Sequence, residues 1–216
     1  MLNRILTTLE KDRLRGALEV AVAVILSLAT LASTWCGYQA SLWGSVQSAQ
    51  QAAADSAERL AAEDTIVGLQ LRTFDLLEVR EYWTALRQKD TATSDEIFAH
   101  LRPQLRRAVE ASIAAGVLEN PEVPGPLQRP EYILPEEQNA RRLRDEASQK
   151  HTEAQEAWGI SGNYVSLTLL FASVLFFGGI TGTFTVRRVR VALGSVSLIL
   201  FIVTMAMLLA LPVCKG

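Results

Sequence analysis

Three stretches of the chain carry no charge at all. Val20 to Ala54 contains no Asp, Glu, Lys or Arg, and neither do Ala157 to Val186 and Val191 to Cys214. Between the first and second stretches, charged residues recur every few positions. The hydrocarbon layer of a bilayer is about 30 Å thick, which about 20 mostly apolar helical residues can cross. The pattern therefore predicts three transmembrane helices, over residues 17–38, 163–185 and 191–213. A buried helix in a soluble core is the competing reading, but such helices seldom run beyond about 18 residues without a charge. The first run also exceeds the ~7–15 residues of a signal-peptide core, and no small-x-small cleavage site follows it. Bulky Trp35 precedes Cys36, unlike the small residue usual before a lipidated cysteine. The first run is thus expected to be a retained anchor.

The polar segment, residues 39–162, shows no strand-like alternation. Its first part is rich in Ala, Gln and Glu, which are good helix formers. Val46, Ala53, Leu60, Val67 and Phe74 recur every seven residues, the spacing of a packing seam. The first span is expected to run on into this helix. The helix continues to Lys89 with a bend expected near Gly68, and Phe74, Leu77, Tyr82, Trp83 and Leu86 serve as apolar anchors. "DTATSDE" breaks it, and Thr93 or Ser94 is predicted to cap the next helix. That helix carries a stripe of Ile97, Phe98, Leu101, Leu105, Val109, Ile113 and Val117, and Pro103 must kink or restart it.

Five of the seven prolines fall between Pro121 and Pro135, so residues 119–135 read as an irregular loop. A last outer helix, Glu136 to Trp158, has only a thin apolar face of Ala140, Leu143, Ala147, Ala154 and Trp158, and a break is expected at Gly159 and Gly162. The fold class that follows is all-α: an integral membrane protein with three transmembrane helices and an extracytoplasmic helical bundle or hairpin domain between spans 1 and 2.

Charge sets the expected orientation. Short loops rich in Lys and Arg stay in the cytoplasm. Arg4, Lys11, Arg13 and Arg15 lie in the tail of residues 1–16, and Arg187, Arg188 and Arg190 in the turn of residues 186–190. With three spans both segments share one side, which should be the cytoplasm. Residues 39–162 then lie outside, with 13 Lys and Arg against 20 Asp and Glu. The tail of residues 214–216 also lies outside.

Aromatic residues agree with this layout. Trp and Tyr collect at membrane–water interfaces, where the ring is apolar and one end can hydrogen-bond. Trp35, Tyr38 and Trp43 close the first span, and Trp158 and Tyr164 open the second. From Arg15 to Trp35 is about 30 Å of helix. A ligand-stacking face above the membrane is the alternative, since Trp35, Tyr38, Gln39, Leu42, Trp43 and Val46 share one side of a continued helix.

Candidate chemistry is sparse. The two histidines, His100 and His151, are far apart, and no His/Cys/Asp/Glu spacing resembles a metal site. No cofactor, metal or catalytic residue is expected, and no nucleic-acid partner. "GGITGTF" lies inside a span and follows no strand, so it is no phosphate loop. Its Gly178 and Gly182 are spaced as in small-xxx-small helix contacts, or are glycines merely tolerated in a span. Arg141, Arg142 and Arg144 either bind an anion or pair with nearby acids. No charge sits at mid-span, which counts against a pump. Cys36 and Cys214 end spans at the same outer face and form a candidate disulfide, or remain two small apolar side chains.

The segments "WCGYQASLWGSVQ" and "GNYVSLTLLFASVLFFGGITGTF" resemble those of uncharacterised bacterial inner-membrane proteins with three spans and an Ala/Gln-rich helical extramembrane region. The resemblance covers span boundaries, about a third of the chain, and implies a bacterial membrane location but no activity. The expected function is non-enzymatic. The outer domain mediates assembly into a homo-oligomer or binds an extracytoplasmic protein partner, with lipid around the spans. A homo-oligomeric pore or transport accessory subunit is the alternative.

Overall fold

The computed structural model describes residues 2–120, 122–184 and 186–214, with side chains except those of residues 2–15, 17, 18 and 187. The side chains of Arg4, Lys11, Arg13, Arg15 and Arg187 therefore lie outside what is described. The described residues form five α-helices: α1 (Leu2–Gln88), α2 (Thr91–His100), α3 (Pro103–Ala114), α4 (Pro135–Ile180) and α5 (Arg187–Ala210). Single 3₁₀ turns occupy Pro126–Gln128 and Thr181–Thr183. There are no strands among the described residues.

Helix α1 is unbroken for 87 residues, through Gly37, Gly44 and Gly68. A helical glycine costs about 1 kcal/mol relative to alanine, too little to stop a helix of good formers packed along one side. The helix ends at Lys89, which adopts the left-handed conformation at φ 58°. Asp90 then caps α2 by accepting from the Thr93 amide at 3.1 Å and from the Thr93 hydroxyl at 2.7 Å. The expected cap at Thr93 or Ser94 is thus corrected: the cap lies three or four residues earlier, at Asp90, where a carboxylate is available. Pro103 restarts the chain as the first residue of α3, where its missing N–H removes no helical bond. Gly116, at φ 81°, closes α3, with the Val117 amide reaching back to Ser112 O.

Helix α4 likewise runs unbroken across Gly159 and Gly162, so the expected break there is absent. An added Cβ at either glycine would meet no atom within 4 Å, so neither position forces a bend.

Two compact units divide the chain: Met1–Gln51 with Thr152–Gly216, and Ala52–His151. In the first unit, the leading part of α1, the trailing part of α4 and α5 form an apolar bundle. Its core is Ala29, Ala32, Cys36, Tyr164, Leu167, Phe171 and Val174. Three segments, within Glu19–Gln88, Pro135–Thr183 and Arg188–Ala210, are long and apolar enough to cross a membrane. Ser27, Thr30 and Thr34 each donate to the carbonyl four residues back in their own helix, whereas Ser197 of α5 donates to the Val174 carbonyl of α4 at 3.1 Å. Much apolar surface faces outward, with Val20, Leu31, Leu169, Phe176, Ile199 and Leu209 all exposed.

In the second unit, α1 and α4 pair antiparallel. Ala54, Ala57 and Ala61 on α1 are buried, as are Ala140, Leu143 and Ala147 on α4. The backbones come close enough at Gly68 that a Cβ there would stand 3.1 Å from Glu137 Cγ. Helices α2 and α3 cover the end of α1 through Val79, Tyr82, Leu101, Leu105, Ala108 and Val109, which join Tyr132 and Leu134 of the Pro-rich loop.

Candidate functional site

The two ends of the apolar bundle are marked by polar pairs. At one end Arg190 donates to Glu19 at 3.3 Å. At the other, the buried amide of Gln39 binds Cys214 in both directions, and the Pro212 carbonyl accepts from Trp43 Nε1 at 3.2 Å and from the Tyr164 hydroxyl at 3.1 Å. The five aromatics therefore divide. Trp35, Tyr38 and Trp158 are exposed. Tyr164 is fully buried and Trp43 half-buried, and both hold the chain's last turn in place. Arg188 is exposed, whereas Arg190 is half-buried against its partner. Cys36 is buried, Cys214 is half-buried, and both are free thiols.

Gly178 and Gly182 play different parts. An added Cβ on Gly178 would lie 2.6 Å from Leu26 Cδ2 and 3.1 Å from Ser197 Oγ. Gly178 thus lets α4 meet α1 and α5 within the chain's own bundle. At Gly182 an added Cβ would meet nothing within 4 Å.

In the second unit, Asp75 is the buried hub. Its carboxylate accepts from Arg102 Nε at 3.1 Å, from a second Arg102 nitrogen, and from the Tyr132 hydroxyl at 2.6 Å. One carboxylate so ties α1 to the α2–α3 junction and to the Pro-rich loop. Arg72 stacks over the Tyr132 ring and forms a two-pronged pair with Glu137. Burial, then the bond to Asp75, pushes the Tyr132 phenol well above its ordinary range. The neighbouring Glu78 carboxyl is also raised, by burial first and by Asp75 second.

The three arginines of the basic knot are exposed, and two of them bond within the unit. Arg142 donates to Asn139 at 2.7 Å and pairs with Glu146 at 3.7 Å, and Arg144 donates to the Thr65 hydroxyl at 2.6 Å. A separate cavity of about 480 Å³ lies among Val79, Trp83, Leu118 and Leu127, with Arg80 and Arg87 also lining it.

Two further features take their meaning from the three-dimensional structure. The first is the seven-residue seam. Leu60, Val67 and Phe74 are 49%, 37% and 63% exposed, and Leu77 is also exposed. The anchors Phe74 and Leu77 therefore do not enter the domain core; Tyr82, Trp83 and Leu86 do. The α1–α4 seam uses Ala54, Ala57 and Ala61 instead, because small residues admit a closer helix approach. The second feature is a cluster of Asp55, Glu58 and His151, whose ligand atoms lie within 4.8 Å of one another. Sequence spacing hides it: His151 stands 93 residues from Glu58, and only the α1–α4 pairing brings them to 3.1 Å.

No family model, curated protein or solved structure matches this chain. Of the resemblance to three-span inner-membrane proteins, the structure supports the three helices long and apolar enough to cross a membrane.

Proposed function

We propose that the chain is a non-enzymatic bacterial inner-membrane protein whose outer helical domain assembles with a second copy through the exposed seam of α1. The observation that carries this reading is the exposure of Leu60, Val67 and Phe74 at strict seven-residue spacing. A helix whose intramolecular face is already filled by alanines, and which shows a second apolar stripe, is built to pack twice. Seven-residue repeats are the pattern by which two helices pack along their length. Support for the membrane location comes from the three long apolar segments and their outward-facing Val, Leu, Ile and Phe side chains. The Glu19–Arg190 and Gln39–Cys214 pairs stand about 30 Å of helix apart on α1, the thickness of a hydrocarbon layer. In the proposed orientation the arginine-rich end is cytoplasmic and the acidic domain extracytoplasmic.

The test is cysteine cross-linking in membranes, in a Cys36→Ser/Cys214→Ser background. Single cysteines at positions 60, 67 and 74 should each give a disulfide-linked dimer under mild oxidant. A cysteine at Ala57, on the buried face, should not. Monomers throughout, or equal cross-linking at position 57, would overturn the assembly reading.

A further inference from the structure

Asp55 and Glu58 are three residues apart on α1, so their carboxylates leave the helix from one face. His151 faces them from α4, with Nε2 at 3.1 Å from Glu58 Oε1. One ligand atom from each of the three side chains lies within 4.8 Å of the other two. The backbone beneath them is a close alanine-lined seam of Ala54, Ala57 and Ala147, which fixes the two helices at short range. The imidazole and one carboxylate already stand at the spacing of two donors on a single ion. Bonds of about 2.0–2.2 Å around a tetrahedral zinc place its donors a little over 3 Å apart. Asp55 offers the third donor within that 4.8 Å, and binding requires its carboxylate to turn toward the ion in exchange for its present contact.

The donor chemistry selects the ion. One imidazole and two carboxylates suit a divalent first-row metal, whereas calcium takes six to eight oxygens and magnesium keeps most of its water. Two carboxylates against one divalent cation also balance charge, so binding leaves no net local charge among the three ligands. Three protein ligands leave a fourth position for water.

We infer that Asp55, Glu58 and His151 bind one zinc ion per chain and that this ion clips α1 to α4 in the second unit. The ion replaces a hydrogen bond between half-exposed side chains by three coordinate bonds across the helix pair. The inference does not depend on the membrane or the assembly reading.

The experiment uses the full chain in mild detergent, without a histidine tag and stripped with chelator. Zinc chloride is titrated calorimetrically, and cobalt(II) is added as a spectroscopic probe. The expected result is one zinc per chain, and a visible cobalt spectrum that zinc abolishes. The chain has only two histidines, so the controls are clean. His151→Ala should weaken zinc binding at least tenfold and erase the cobalt spectrum, and Asp55→Asn should weaken binding with the helix content unchanged by circular dichroism. His100→Ala should bind like wild type. If stripped wild type takes up no zinc at 100 μM metal, or if His151→Ala binds as wild type does, the site is overturned. If His151→Ala loses helix content, His151→Gln, which retains a hydrogen-bonding side chain, decides by the same two readouts.

Discussion

Gln39 holds Cys214 with both ends of its amide: Nε2 donates to the Cys214 carbonyl at 3.4 Å, and Oε1 accepts from the Cys214 amide at 2.9 Å. Gln39 is almost fully buried, so neither half of its amide can turn to water instead. Trp43 and Tyr164 add two more donors on the Pro212 carbonyl. Past the end of α5 the backbone has no helix to satisfy it, and these three side chains supply the missing partners. Gln39→Leu would strand the Cys214 amide and carbonyl at a cost of about 1–3 kcal/mol. The expected outcome is faster alkylation of Cys214 by a polar maleimide than in wild type, with Cys36 unchanged. Equal rates would show that the clamp contributes nothing.

Gly178 is a steric requirement within the bundle. Even a methyl group there would stand 2.6 Å from Leu26 Cδ2. Overpacking of this kind costs about 1–3 kcal/mol for a small insertion. Gly178→Leu should lower the melting temperature in detergent, and Gly182→Leu, with no atom within 4 Å of its Cβ, should not. Loss of stability on Gly182→Leu alone would contradict the packing described.

How much of this was legible in the sequence follows from the range of each interaction. The apolar segments, the restart at Pro103 and the loop rich in proline are local, so composition and periodicity reveal them. The exposed aromatics Trp35, Tyr38 and Trp158 obey the same local logic. What escaped depends on register between distant segments. Trp43 and Tyr164 look like their neighbours until the chain's end is placed against them. The stripe of Leu60, Val67 and Phe74 was visible as a repeat, but not which of two faces α4 would take. The His151 cluster needs α1 and α4 aligned to within one turn, which no spacing within either segment encodes. The signal for a continuous α4 was present but misread: glycines in a span are weak breakers when nothing presses on them.

Asp75 should be the costliest single polar residue of the second unit. It is 1% exposed and accepts from both Arg102 and Tyr132. Removing one partner of a buried ion pair leaves the other charge uncompensated, typically at 3–5 kcal/mol. Arg102 is partly exposed, so Asp75→Ala should cost about 3 kcal/mol, the low end of that range. Urea unfolding followed by circular dichroism checks this. A variant within about 1 kcal/mol of wild type would mean that the network is marginal.

Glu78 should work against the fold at neutral pH. Its Oε2 is buried and has no hydrogen-bond partner among the described residues. Burial, and then the charge of Asp75, raise its pKa above the ordinary 4.5, while Arg102 partly opposes them. The folded state therefore holds this proton more tightly than the unfolded chain does. Stability from this group is fully present below pH 4.5 and is lost as pH rises through the raised value. Glu78→Gln keeps the shape and removes the charge. It should stabilise the protein at pH 7.5 by about 1 kcal/mol, the scale of a buried acceptor left unpaired. The gain should shrink toward zero as pH falls toward 4.5. Asp90, whose pKa is lowered by its bonds to Thr93, loses its contribution only below its ordinary 3.8, so it does not enter this window. Paired urea titrations of wild type and variant at pH 7.5, 6 and 4.5 check the trend. A gain that stays constant with pH would assign the effect to packing and rule out the charge as its cause.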